Sequence, residues 1–217
     1  MPYEMKPSAH NPANLKEISM KTNRTVCSIV ACLTLSVAGS APWGLVSADE
    51  RHDGQQQVAL VKAIPQSKLT LIGGIKQVTK DGEVPISAKF EFDDAGKLSL
   101  SVYTVEKGLN SDPEHNVLKE LSGSPEQDAW NPEAEVFKDV PHVARSSEQL
   151  TLMRLSPFTL VDILTKVQKT HRGIVFSITP AIKGHQPAFV VLEATGGGKV
   201  AELDYNLLDG SLLTSGK

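Results

Sequence analysis

The side chains that could bind a metal or move protons, His52, His115, His142, His171 and His185, are scattered along the chain. No two stand at the i, i+4 spacing that puts a ligand pair on one helix face, and HExxH is absent. His171 reads as a cation at a helix C-terminus and His185 as a turn residue. A serine nucleophile wants a strand–Ser–helix elbow such as GxSxG, which Leu121-Ser122-Gly123-Ser124-Pro125 does not provide. Gly196-Gly197-Gly198 joins strand to strand, with no helix N-terminus behind it to aim amides at a phosphate, so it is a tight turn. Glu202 and Asp204 share one face of a strand and have the composition of a general acid/base pair, but alternate residues of a half-exposed strand are usually polar. The sequence therefore offers no catalytic set, no metal site and no cofactor motif. Tyr103 and Tyr205 are more informative. Each lies on a strand following a glycine turn, where an exposed ring makes a good contact for a protein partner; the alternative is that both plug the groove between helix and sheet. Tyr103, Tyr205, Glu202 and Asp204 are the candidate partner contacts.

The elements that position these residues read as an α+β fold of two helix-plus-antiparallel-meander modules. At an offset of 102 residues, Gly82, Pro85, Glu91, Gly96, Lys97, Tyr103 and Gly108 match Gly184, Pro187, Glu193, Gly198, Lys199, Tyr205 and Gly210 without a gap. In the second module Ser156-Pro157 reads as N-cap and first helical position, and Leu160, Ile163, Leu164 and Val167 form an apolar stripe. Gly173 reads as the left-handed stop of that helix. Ile174–Ile178, Ala188–Ala194 and Lys199–Tyr205 read as strands, and Asp209-Gly210 as the turn into a last one. In the first module Gln55–Ile64 reads as a helix stopped by Pro65. Leu69–Val78 reads as a strand loosened by Gly73-Gly74, and Ile86–Phe92 and Lys97–Val105 as a hairpin. Residues 49–109 and 149–217 are the two modules. Residues 110–148 form an acidic connector, with helices expected from Asp112-Pro113, Asn131-Pro132 and Ser147, carried on the edge or face of the sheet. One curved sheet shared by both modules and two separate sheets remain open.

Residues 1–48 read as a signal peptide. Val26–Ala38 is an uncharged apolar run of about 13 residues, inside the roughly 7–15 of a signal core and short of the ~20 that span a bilayer. Lys21 and Arg24 precede it, and Val46-Ser47-Ala48 suits cleavage before Asp49; Met20 reads as the true start. An uncleaved anchor ending near Val46 and a lipoprotein modified at Cys32 fit less well, because Pro42 and Trp43 end a helix poorly and apolar sequence continues past Cys32. Both cysteines, Cys27 and Cys32, lie in this leader, so the remainder has neither disulfides nor thiolate metal sites. The formal net charge of −3, made more negative by removal of Lys6, Lys16, Lys21 and Arg24 with only Glu4 and Glu17, argues against a nucleic-acid or anionic-membrane surface. The expected location is the periplasm or the extracellular medium.

The helix FTLVDILTKVQ, the strands GIVFSI, PAFVVLEA and KVAELDY and the ending LLDGSLL resemble the PepSY domain over residues 157–213; residues 55–109 resemble it less closely. That resemblance implies an exported, non-enzymatic module that binds a protein partner and regulates or inhibits a peptidase. The alternative is a binder of a small apolar or envelope ligand between helix and sheet. Mass spectrometry of the secreted protein should give an N-terminus at Asp49; a mass retaining residues before it would refute the cleavage site.

Overall fold

The computed structural model describes residues 48–127 and 129–216, so all of the expected leader but Ala48 lies outside the described residues. The helices are α1 (Ala48–Ala63), α2 (Leu71–Lys80), α3 (Val140–Leu155) and α4 (Leu160–Thr170). The strands are β1 (Val84–Phe92), β2 (Leu98–Val105), β3 (Leu118–Gly123), β4 (Glu133–Val136), β5 (Ile174–Lys183), β6 (Gln186–Thr195), β7 (Lys199–Asn206) and β8 (Leu212–Gly216). They form one eight-stranded sheet in the order β4-β3-β2-β1-β5-β6-β7-β8, antiparallel at every junction. The fold is α+β. The described residues fall in one compact unit, and β1 pairs with β5 at the centre of the sheet. Among them no single helix is long and apolar enough to cross a membrane.

Strand periodicity gives the sheet two unlike faces. The register aligns Ala88, Val102, Ile178, Val191 and Leu203 on one face, all buried. This apolar face carries α2 and α4, whose stripes Leu71, Ile75, Val78 and Leu160, Ile163, Leu164, Val167 are buried against it. On the opposite face stand Ser87, Lys89, Ser101, Tyr103, Glu120, Ser177, Thr179, Glu202 and Asp204. His142 and Arg145 of α3 share a cavity there with Tyr103 and Glu120; Gln56, Gln57 and Leu60 of α1 share another with Lys89, Ser177 and Leu192.

Several local expectations are corrected. Leu69–Val78 is not a strand. Thr70 caps α2, its hydroxyl accepting from the Gly73 amide at 3.1 Å, and the i, i+4, i+7 stripe outweighs two helix-weakening glycines. Gly74 permits the close packing, since a Cβ there would collide with Leu100. The first-module helix starts at Ala48, and Pro65 sits in the 3-10 turn Ile64–Gln66 that follows it. The connector supplies β3 and β4, the edge of the sheet, where helices were expected after Asp112 and Asn131; only Pro113–His115 is a short 3-10 turn. Helix α3 begins at Val140 under an Asp139 cap, not at Ser147. Ser156 ends α3, and Thr159 caps α4. Gly173 is not left-handed: it is the point where β6 presses closest, and a Cβ there would collide with Glu193 and the Ala194 carbonyl.

The α4 cap is reciprocal. Thr159 Oγ1 accepts from the Asp162 amide at 3.2 Å, while Asp162 Oδ2 accepts from the Thr159 amide at 2.8 Å and its hydroxyl at 2.7 Å. The hydroxyl bond foremost, then the amide bond, lowers the Asp162 carboxyl below its ordinary value. A depressed folded value means that the cap contributes above the unfolded carboxylate pKa and is lost as pH falls through the folded one. Thr159→Ala should cost about 1 kcal/mol in urea unfolding. Asp162→Asn should remove the matching share of the acid-side loss; an unchanged acid limb would contradict the cap.

Candidate functional site

The four residues singled out in the sequence do not converge. Tyr103 and Val102 are successive on β2, so Tyr103 lies on the polar face; Tyr205, two residues beyond Leu203, lies on the apolar one. The ungapped offset of 102 matches β1 to β6 and β2 to β7, whereas the sheet places β1 beside β5. Both rings are buried, at 6% and 3% exposure, so neither is a surface contact for a partner. Tyr103 packs on Phe137 at 5.7 Å between centroids, with Lys89 Nζ 5.5 Å from its ring. Burial, then the charges of Glu120 and Glu91, push its phenol far above the ordinary value. Tyr205 lies under α4, with Lys166 Nζ 5.9 Å from the ring; burial raises its phenol, a bond to Thr170 opposes and the Glu193 charge adds.

Glu202 and Asp204 share the polar face, but Glu202 is bound by Lys183 at 2.7 Å. That bond raises the Lys183 ammonium against its partial burial, with the charges of Glu202 and Asp204 reinforcing it. Three histidines likewise pair with separate carboxylates, while the side chain of His52 lies outside the described residues. His115 pairs with Asp112 at 3.2 Å, His142 with Asp139 at 2.8 Å, and His171 with buried Glu193 at 3.2 Å. His185 and Gly184 form the left-handed two-residue turn between β5 and β6. Among the described residues no group of three or more His, Cys, Asp or Glu side chains could hold a metal ion.

The sequence did not point to the apolar-lined concavity at the helix seam. It lies where the C-terminal half of α2 meets the start of α4, over the start of β1, and its volume is about 520 Å³. That is within the roughly 300–1,000 Å³ of small-molecule sites. Ile75, Val84, Pro85, Leu109, Met153 and Phe158 supply an apolar lining, with Lys76, Thr79, Lys80 and Glu83 around it. A second cavity of about 460 Å³ lies at the other end of the α2–α4 seam, but it has no cation and mixes Ser67, Thr70 and Gln168 into its wall.

The walls of the larger groove are tied down. Arg154 on α3 donates from Nε to the Leu109 carbonyl and from Nη2 to that of Ser111. Ser156 Oγ donates to the Leu207 carbonyl at 2.9 Å and accepts from the Phe158 amide at 3.0 Å. Phe158 rests on Gly210, whose φ of +67° suits glycine and whose added Cβ would stand 3.2 Å from the ring. Lys166 links this turn to the core, donating from Nζ to the Gly210 carbonyl while lying over Tyr205. Glu83 is held by Lys119 at 2.6 Å, and Glu106 stands 3.4 Å from the same ammonium. Partial burial opposes charge on Lys119, but its bonds to Glu83 and Glu106 prevail and its pKa is raised. The stripe of Leu71, Ile75 and Val78 marks α2, one wall of this groove, as a helix, but nothing in the sequence marks the groove itself.

No family model matches the chain, and no curated protein matches it. A solved structure, that of a "putative lipoprotein" from Clostridium difficile 630, is 11% identical to it. The match covers 69% of this chain and 93% of that one with a TM-score of 0.34, too distant a likeness to carry any argument.

Gly210→Ala should destabilise the protein by roughly 1–2 kcal/mol, because an L side chain must take the left-handed conformation while Phe158 gives way. Urea unfolding checks this; an unchanged midpoint would show that the turn does not brace the groove.

Proposed function

We propose that the protein is an exported, non-catalytic binding protein that takes a small apolar ligand in the groove between α2, α4 and the start of β1. The observation that carries this reading is the apolar lining of a groove of about 520 Å³ whose walls are fixed by hydrogen bonds. A preformed apolar concavity gains affinity by releasing water from both surfaces, and a fixed wall lowers the ordering cost of binding. Export rests on the leader pattern of residues 1–48, and the PepSY resemblance of residues 157–213 agrees with a non-enzymatic role outside the cytoplasm. Regulation of a peptidase through the sheet is the weaker reading, since Tyr103 and Tyr205 are buried and Glu202 is bound by Lys183.

The mature chain should bind the neutral dye Nile red with a blue-shifted, enhanced emission. Val161→Trp, at a partly buried position of the groove wall, should reduce that binding at least about tenfold by filling the space, with its far-ultraviolet circular dichroism unchanged. Absence of dye binding to the wild type, or full binding by the folded variant, would refute the groove as the site.

A further inference from the structure

We infer that the ligand of this groove is a single-chain amphiphile with an anionic head, such as an alkyl carboxylate, held head-outward by Lys76 and Lys80. The inference rests on the groove reading above and specifies its ligand. Lys76 and Lys80 stand one helical turn apart on the exposed flank of α2, and both border the groove. The carboxylate bordering the same space, Glu83, is turned to an ion pair with Lys119. Neither Lys76 nor Lys80 is ion-paired among the described residues, so the charge the groove offers a ligand is positive.

Apolar lining and cationic rim are arranged in sequence. Ile75 and Val78 turn into the core while Lys76 and Lys80 stay in water, so the same helix gives an alkyl chain its wall and a head group its counter-charge. An anionic head placed there remains solvated on one side, which avoids the cost of burying a charge. A neutral apolar ligand would use the lining and leave the lysines unengaged. A cationic amphiphile would meet like charges. The cavity at the other end of the α2–α4 seam has no basic side chain in its wall and offers an anion no counter-charge.

The test compares decanoate with decan-1-ol, which share a chain and differ in head-group charge, by displacement of Nile red from the mature protein at low and high salt. Decanoate should bind about tenfold more tightly than the alcohol at low salt, and the difference should shrink as salt screens the rim. In the double variant K76Q/K80Q, decanoate should fall to the affinity of the alcohol while the affinity of the alcohol stays unchanged. Equal binding of the two by the wild type, or a decanoate preference that survives in the double variant, would overturn the anionic head while leaving the apolar groove standing. If neither compound displaces the dye, the anionic-head inference falls, and if the dye itself does not bind, the groove reading falls with it.

Discussion

The antiparallel pairing of β1 with β5 is the junction on which the rest of the structure depends. Only Ala88↔Ile178 and Lys89↔Ser177 are in ladder register there, yet this short seam joins four strands on either side into one sheet. It is reinforced on the polar face by Ser87, whose hydroxyl lies 3.3 Å from the Ile178 carbonyl and 3.2 Å from Thr179 Oγ1. On the apolar face Ala88 and Ile178 are fully buried beneath the helices. Because each strand set follows its own helix, joining β1 to β5 also brings α2 and α4 side by side. Leu71 and Ile72 share one cavity with Leu164 and Gln168, and Ile75 and Thr79 share the other with Leu160 and Val161. The two helices are thus antiparallel, and the groove is a consequence of that meeting.

The two faces of the sheet do different work. The apolar face buries large side chains such as Phe189, Leu100 and Ile178, each worth about 1.5–3 kcal/mol relative to exposure. The polar face buries Ser87, Ser101 and Tyr103 under a layer that includes α3, whose own buried residues include Ser146 and Gln149. Ring stacking adds to this layer, with Phe137 between Tyr103 and His142. The cavities on that face mix polar and charged side chains with apolar ones, whereas the concavity at the helix seam has a mainly apolar lining.

One chain of contacts links the core to the groove. Tyr205 lies beneath Lys166, Lys166 holds the carbonyl of Gly210, and Gly210 supports Phe158, which lines the groove. The Asp209-Gly210 turn is therefore a brace as well as a chain reversal. Asp209 caps it by accepting from the Ser211 amide at 2.7 Å. A residue chosen in the sequence for its exposed-contact chemistry, Tyr205, serves the site from underneath.

The sequence by itself determined the class of fold, the stripe of α4, the strands β1, β2, β5, β6 and β7, and the turns at Gly96, Gly184, Gly198 and Gly210. Each of these is a local property: hydrophobic period, or the conformational freedom of glycine, acts within a few residues. It also carried the leader pattern, which is a matter of composition and length. What only the tertiary structure decided is where those elements meet. Thr70 and a three-residue stripe made a helix of a segment whose Gly73-Gly74 reads as a weakened strand, because burial against Leu100 offsets poor intrinsic propensity. The acidic segment after Asn110 became β3 and β4 because the open edge of β2 offers it hydrogen bonds that no local pattern records. Tyr103 and Tyr205, matched along the chain, fell on opposite faces because alternation fixes a side only relative to strand neighbours, and those neighbours are chosen by pairing. The groove has no sequence signature of its own, since its walls come from α2, β1, α3 and α4 and exist only once β1 has found β5.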